Sequence, residues 1–159
     1  MRGLSYPNGS YNREIIELLP KLGIEYSRIV GNTDDFSMPE NYLAWEATCH
    51  HNHNLIENGK RFLELKKTQY MYMMYVWGHS YEFNIYGNWD VMEEFCRNCG
   101  GRDDIWYATN IEIVDYMEAA GRLQFGAAGN MVYNPSAASV WIEVNGEKKE
   151  IQGGTLLEF

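Results

Sequence analysis

Residues 70–83 read YMYMMYVWGHSYEF, and the fold turns on what this stretch becomes. Apolar and aromatic side chains run unbroken from Tyr70 to Trp77 and stop at Gly78-His79-Ser80. A strand of a parallel sheet has this character, because helices cover both of its faces. Residues 70–77 are therefore expected to be a central strand. Gly78-His79 then places an imidazole at its C-terminal end, where βα architectures carry their chemistry. The competing reading of His79 is a hydrogen-bonded histidine held beneath a loop.

Working outward, the apolar spacing of Ile15, Ile16, Leu18, Leu19 and Leu22 predicts a helix over 12–22. Pro20 is expected to bend its last turn, and Gly23 to close it. A strand follows over 24–30, then a polar loop over 31–35. Ser37-Met38-Pro39-Glu40 has the form of a helix start, and 45–51 is a second, shorter strand candidate. Helices are expected over 54–67 and 89–99, with 84–88 a loop and Asn88 as N-cap of the second. A short apolar strand is placed at 105–108. Thr109-Asn110-Ile111-Glu112 matches a capping box opening a helix that runs to about Ala120.

Alternation of this kind implies parallel strands joined by right-handed crossovers. After Gly121 the texture changes to short strand candidates at 123–125, 131–133, 139–144, 148–151 and 155–159, separated by Gly, Asn and Pro. Asn145-Gly146 is a strong hairpin signal. The expected organisation is thus an α/β part over 1–121 and a small β extension over 122–159.

Composition narrows the function classes. The chain has 159 residues, enough for one medium domain with an appendage, and a formal net charge of −9. That charge argues against a nucleic-acid or anionic-membrane partner. No apolar run approaches the length that spans a bilayer, and the N-terminus lacks the apolar core of a signal peptide. Three cysteines at low density fit a reducing compartment, so a cytoplasmic location is expected. The aromatic share is high, with 12 Tyr and 5 Trp; such residues stack on sugars and also build cores.

The succession SYPNGSYN, NTDDFSMPENYLAWEATCHH, MYVWGHSYEF and GGRDDIWYATNIEIVDY, over roughly residues 1–120, resembles the C-terminal half of the polysaccharide deacetylases (carbohydrate esterase family four). The resemblance implies a partial distorted (β/α) barrel. It also implies a metal-dependent hydrolase that removes N- or O-acetyl groups from a glycan. His79 matches the family's general acid, with Trp77 in a pocket-lining position that the family fills with Leu. Ser5-Tyr6-Pro7-Asn8-Gly9 aligns with a turn whose backbone N–H polarises the acetyl carbonyl, which assigns that role to Asn8. Tyr6, Pro7, Trp77 and Tyr81 are placed against the substrate. The family's Arg before that turn is Ser5 here, and Arg2 lies three residues too early.

Two motifs of the family are missing: the strand ending in paired aspartates and the helix face with two histidines. A divalent ion of the zinc type belongs to the intact fold, with none expected on this chain. The chain alone is then expected to be inactive, its water-activating half lying on another piece of chain or lost. Half a barrel leaves bare strand edges, so the missing half or a second copy is expected to cover them. The alternative is a non-catalytic carbohydrate-binding or interaction remnant.

Two further constellations stand apart from the resemblance. Cys49-His50-His51-Asn52-His53, if extended, puts Cys49, His51 and His53 on one face and His50 on the other. Its readings are a zinc site or a polar loop at a strand end. Cys96-x-x-Cys99 ends a helix instead of opening one, so it reads as structural or incidental.

Overall fold

Of the apolar run, only Val76–Trp77 forms a strand. The computed structural model describes residues 1–66 and 70–159. Within them the chain divides into two compact units, Met1–Tyr107 and Ala108–Phe159.

In the first unit, β1 (Gly3–Ser5) pairs in parallel with β2 (Tyr26–Arg28). β3 (Cys49–His50) pairs in parallel with β4 (Val76–Trp77). A single parallel bridge, Arg28 to Trp45, joins the two ladders. The expected partial (β/α) barrel is therefore corrected. Strands pair in groups of two or three, with no barrel closure and no large parallel sheet among the described residues.

The backbone shows why the ladders stay short. After β2 the chain kinks at Gly31 (φ 142) and Asp34 (φ 50). Residues 45–48 then find loop partners, as Thr33 N–H donates to Ala47 O and Asp34 N–H to Thr48 O. On the other side, the Thr48 hydroxyl accepts the Tyr75 N–H at 3.0 Å, so the ladder to β4 opens only at Cys49. Residues 70–75 are diverted as well: Met73 N–H donates to Phe36 O, and Tyr72 bridges Ser37 in the antiparallel sense. A side chain and a neighbouring loop thus satisfy the polar groups that a longer strand would have paired.

Helices lie between and after these strands along the chain. α1 (Arg13–Leu18) starts on the Asn12 side chain, which accepts the Ile15 N–H, and tightens into a 3-10 turn, Leu19–Leu22, at Pro20. α2 (Leu55–Leu63) is shorter than the expected 54–67, whose last residue lies outside the described ones. α3 (Ser80–Tyr86) was not expected: it begins after the proposed strand over 70–77 and takes in part of the expected loop over 84–88. α4 (Trp89–Cys99) has the expected bounds. Gly59 lets α2 and α4 approach, since a Cβ there would meet Phe95 at 3.1 Å. No helix starts at Ser37, where a 3-10 turn at Tyr42–Ala44 comes later, and residues 105–108 form no strand.

Two groups of buried residues hold the strands of this unit. Tyr6, Leu19, Ile24 and Ile29 pack together, with Leu4, Leu43 and Ala44 against them. Trp45, wholly buried, meets Tyr26, Tyr42 and Tyr75 edge-on, with ring centroids 5.1–5.9 Å away. Such offset aromatic contacts add to the area each ring buries.

The second unit holds α5 (Asn110–Gly121) and five strands, β5 (Gln124–Phe125), β6 (Met131–Tyr133), β7 (Val140–Val144), β8 (Glu147–Ile151) and β9 (Leu156–Glu158). They pair antiparallel as β5-β6-β9 and β7-β8. Thr109 and Glu112 close a reciprocal capping box on α5. Asn145 (φ 54) and Gly146 (φ 83) make the two-residue turn of the β7–β8 hairpin, both with the positive φ that a type I′ turn requires. Val132, Val140 and Ile151 are buried. So is Asn134, whose amide N–H groups donate to Ala138 O and Ile151 O.

Candidate functional site

β3 ends at His50, and residues 51–52 turn. The turn breaks the alternation of an extended strand, so His50 and His51 lie side by side. Their ring centroids are 4.2 Å apart. His51 is almost fully buried, at 3% exposure, between His50 and Phe83, whose ring lies 4.2 Å away. Its ring also fills the space above Gly78, where a Cβ would sit 1.8 Å from the imidazole Cδ2. Gly78 is thus required twice, by this approach and by its φ of 151.

Glu82, in the first turn of α3, faces all three nearby imidazoles. Its Oε2 lies 3.0 Å from His50 Nε2 and 2.8 Å from His51 Nε2, and its Oε1 lies 3.7 Å from His79 Nδ1. The same Oε2 accepts the His79 backbone N–H at 3.4 Å, as an N3 carboxylate does for a helix start. Burial pushes the Glu82 carboxyl up. The His79 N–H and the imidazoles of His50 and His51 outweigh it, and the group ends below its ordinary range. Burial, and then the neighbouring His51, hold His50 below its ordinary value despite the pull of Glu82, which favours the neutral ring.

Asparagines form the surroundings. The Asn52 N–H donates to His50 Nδ1 at 3.1 Å, and His51 Nδ1 stands 3.1 Å from Asn52 Oδ1. Asn52 Oδ1 also accepts from Asn88 Nδ2 at 2.7 Å. His51, Asn52 and Asn88 line an open cavity of ≈ 500 Å³, together with Leu55, Tyr86 and Val91.

His79 lies two residues past the end of β4 and is the N-cap residue of α3, with its side chain 53% exposed. Trp77 and Tyr81 flank it, with ring centroids 6.4 and 5.3 Å away. Trp77 is fixed from two sides: its indole N–H donates to Gly31 O at 2.8 Å, and the Arg28 guanidinium lies 4.6 Å over its ring. His79, Trp77 and Tyr81 are thus brought together. Tyr6, Pro7 and Asn8 follow β1, which is separated from β4 by β2 and the 45–50 segment. Three strand spacings amount to about 14 Å. Tyr6 is buried, its hydroxyl donating to Leu43 O and its ring stacked on Tyr11. Pro7 and Asn8 lie in a 3-10 turn, Asn8 at φ 53.

The run from Cys49 to His53 separates into two sites. His53 Nε2 pairs with Asp34 Oδ2 at 2.8 Å, and Asn58 donates to the other oxygen of Asp34. Cys49 is buried, which pushes its thiol up and away from the thiolate that binds zinc. His50 and His51 go with Glu82 instead. Among the described residues, these three form the group whose ligand atoms lie within 4.8 Å of one another, a donor set suited to a divalent ion. The sequence reading passed over Glu82. Its signal was position: three residues after His79, at a helix start that the apolar run concealed.

No family model, curated protein or solved structure matches the chain. Among the described residues, no helix is long and apolar enough to cross a membrane.

Proposed function

We propose that the chain carries the proton-donating group of a hydrolase that removes acetyl groups from a glycan, with His79 as that group. The supporting observation is the setting of His79: an accessible imidazole at a strand end, 3.7 Å from the Glu82 carboxylate and set between two aromatic rings. The two rings offer faces on which a sugar stacks, and the exposed imidazole can reach a leaving group held there. In this reading Trp77 and Tyr81 hold the sugar while His79 delivers a proton to the departing nitrogen or oxygen. A divalent ion, where one is held, supplies an activated water. His50, His51 and Glu82 have the donor atoms for it.

Acetate release from N- and O-acetylated oligosaccharides, with and without added Zn²⁺, tests the proposal. In place of the inactivity expected while no metal ligands were in view, the expected result with Zn²⁺ is release that falls by a factor of about 10²–10⁴ in His79→Ala, the usual worth of a general acid. Release that His79→Ala leaves intact, or no release under either condition, overturns it.

A second reading is a glycan-binding module without turnover. The exposure of Tyr81, Tyr86 and Trp89 on and beside α3 favours it. Calorimetric binding of the same oligosaccharides with no acetate released would establish that reading in place of the first. In either case the outer edges of β1 and β4, which no strand pairs among the described residues, fit an assembly in which a further strand or a second copy covers them. Sedimentation as a stable monomer at high concentration would remove that part of the proposal.

A further inference from the structure

We infer that His50, His51 and Glu82 form a binding site for a first-row divalent transition cation, with each imidazole at about a right angle to the carboxylate. The argument starts at His51. Asn52 Oδ1 receives a hydrogen bond from Asn88, so it is an acceptor, and His51 Nδ1 facing it carries the proton. Nε2 of the neutral ring then presents a lone pair, and it lies 2.8 Å from Glu82 Oε2, which presents another. Two such atoms in near contact need a cation between them.

A proton on Nε2 does not serve. This buried nitrogen has no aligned hydrogen-bond partner, so its N–H direction misses the carboxylate. A metal ion sits off the line between its ligands and meets this geometry. The spacing also selects the coordination. With bonds of about 2.1 Å, ligands at right angles stand about 3.0 Å apart, and those at tetrahedral angles about 3.4 Å. The separations of 2.8 and 3.0 Å belong to the first case. Two imidazoles and one carboxylate leave the remaining positions to water or a ligand, as in two-histidine, one-carboxylate sites.

The surroundings suit such a site. Asn52 and Asn88 hold His51 through its distal nitrogen, as the outer shell of a metal ligand does. Gly78 fixes the ring from below. His50 sets the limit on affinity. Its Nδ1 accepts the Asn52 N–H, so without metal its proton is on Nε2. Ligation moves that proton to Nδ1 and opens the Asn52 contact, so one hydrogen bond is given up for one coordinate bond and no net proton is released.

The experiment titrates Co²⁺, and separately Zn²⁺, into the full chain, read by calorimetry and by the visible spectrum of Co²⁺. It needs no substrate, so it succeeds or fails independently of the glycan reading. The expected result is one ion per chain, a weak five- or six-coordinate Co²⁺ spectrum, and affinity lower by at least about tenfold in Glu82→Gln and His51→Gln. His53→Gln, on the Asp34 side, leaves binding unchanged. Should the ligand variants fold poorly, paramagnetic Co²⁺ on the unmodified chain broadens the imidazole protons of His50 and His51 before those of His53. Absence of saturable binding, equal binding by all variants, or broadening led by His53 overturns the inference.

Discussion

The two units differ in how far along the chain their contacts reach. In residues 108–159, signals and partners are neighbours. The Thr109 side chain and Glu112 cap the same helix, and Val144 pairs with Glu147 across a two-residue turn. In residues 1–107 the pairings run from Gly3 to Tyr26, from Arg28 to Trp45 and from Cys49 to Val76. The first unit is thus assembled from strands of two or three residues that are stable only once distant segments have met. A unit of this kind concentrates its stability in a few buried groups and leaves its strand ends to polar side chains. The second spreads its stability over caps, turns and ladders.

Substitutions sharpen that contrast. The largest effect is expected at Trp45, which three aromatic rings surround in the first unit. Trp45→Ala should cost about 3–5 kcal/mol in urea melts. Trp45→Phe should cost far less, because the buried indole N–H has no partner to lose. Equal losses in the two variants would mean that the indole N–H is paired after all.

Gly78→Ala comes next. It must move the His51 ring and hold a non-glycine residue at φ 151, a strain on the order of 1–3 kcal/mol. Amide exchange should quicken around β3, β4 and α3, while β7 and β8 keep their protection. Uniform loss of protection over both units would break the comparison. In the second unit the effects are smaller and local. Thr109→Ala removes a cap worth about 1 kcal/mol, and the first turn of α5 should exchange faster with little change elsewhere.

The smallest effect is a pH dependence at Asp34. Hydrogen bonds from His53 and Asn58 hold its carboxyl below the ordinary 3.8. Stability from this group is full above that value and is lost as pH falls through the lowered folded one, since the unfolded chain then binds the extra proton. Acid titration should loosen the loop around Asp34, and Asp34→Asn should flatten the response below about pH 4. A response that Asp34→Asn leaves unaltered would place the acid sensitivity elsewhere.

What was legible in the sequence follows the same division. The bounds of α4, the capping box of α5, the hairpin turn at Asn145-Gly146 and the strands of the second unit could each be read from residues within a few positions of one another. The run 70–77 could not. Its apolar content spoke for a long central strand, yet Thr48 and Phe36, far away in sequence, take hydrogen bonds that such a strand needed. The same run hid the start of α3, and with it Glu82.

By itself, then, the sequence determined the local turns, the caps and the bounds of α4 and α5, and it placed His79 just past a strand, between Trp77 and Tyr81. Tertiary structure alone decided that the strands stop after two or three residues. It alone parted His53 from His50 and His51, and it alone brought one carboxylate from α3 against imidazoles that close β3 and β4. The reason is physical. Caps and turns are satisfied by groups a few residues away, whereas a ladder's length and a cluster's membership depend on which distant polar groups reach the backbone first.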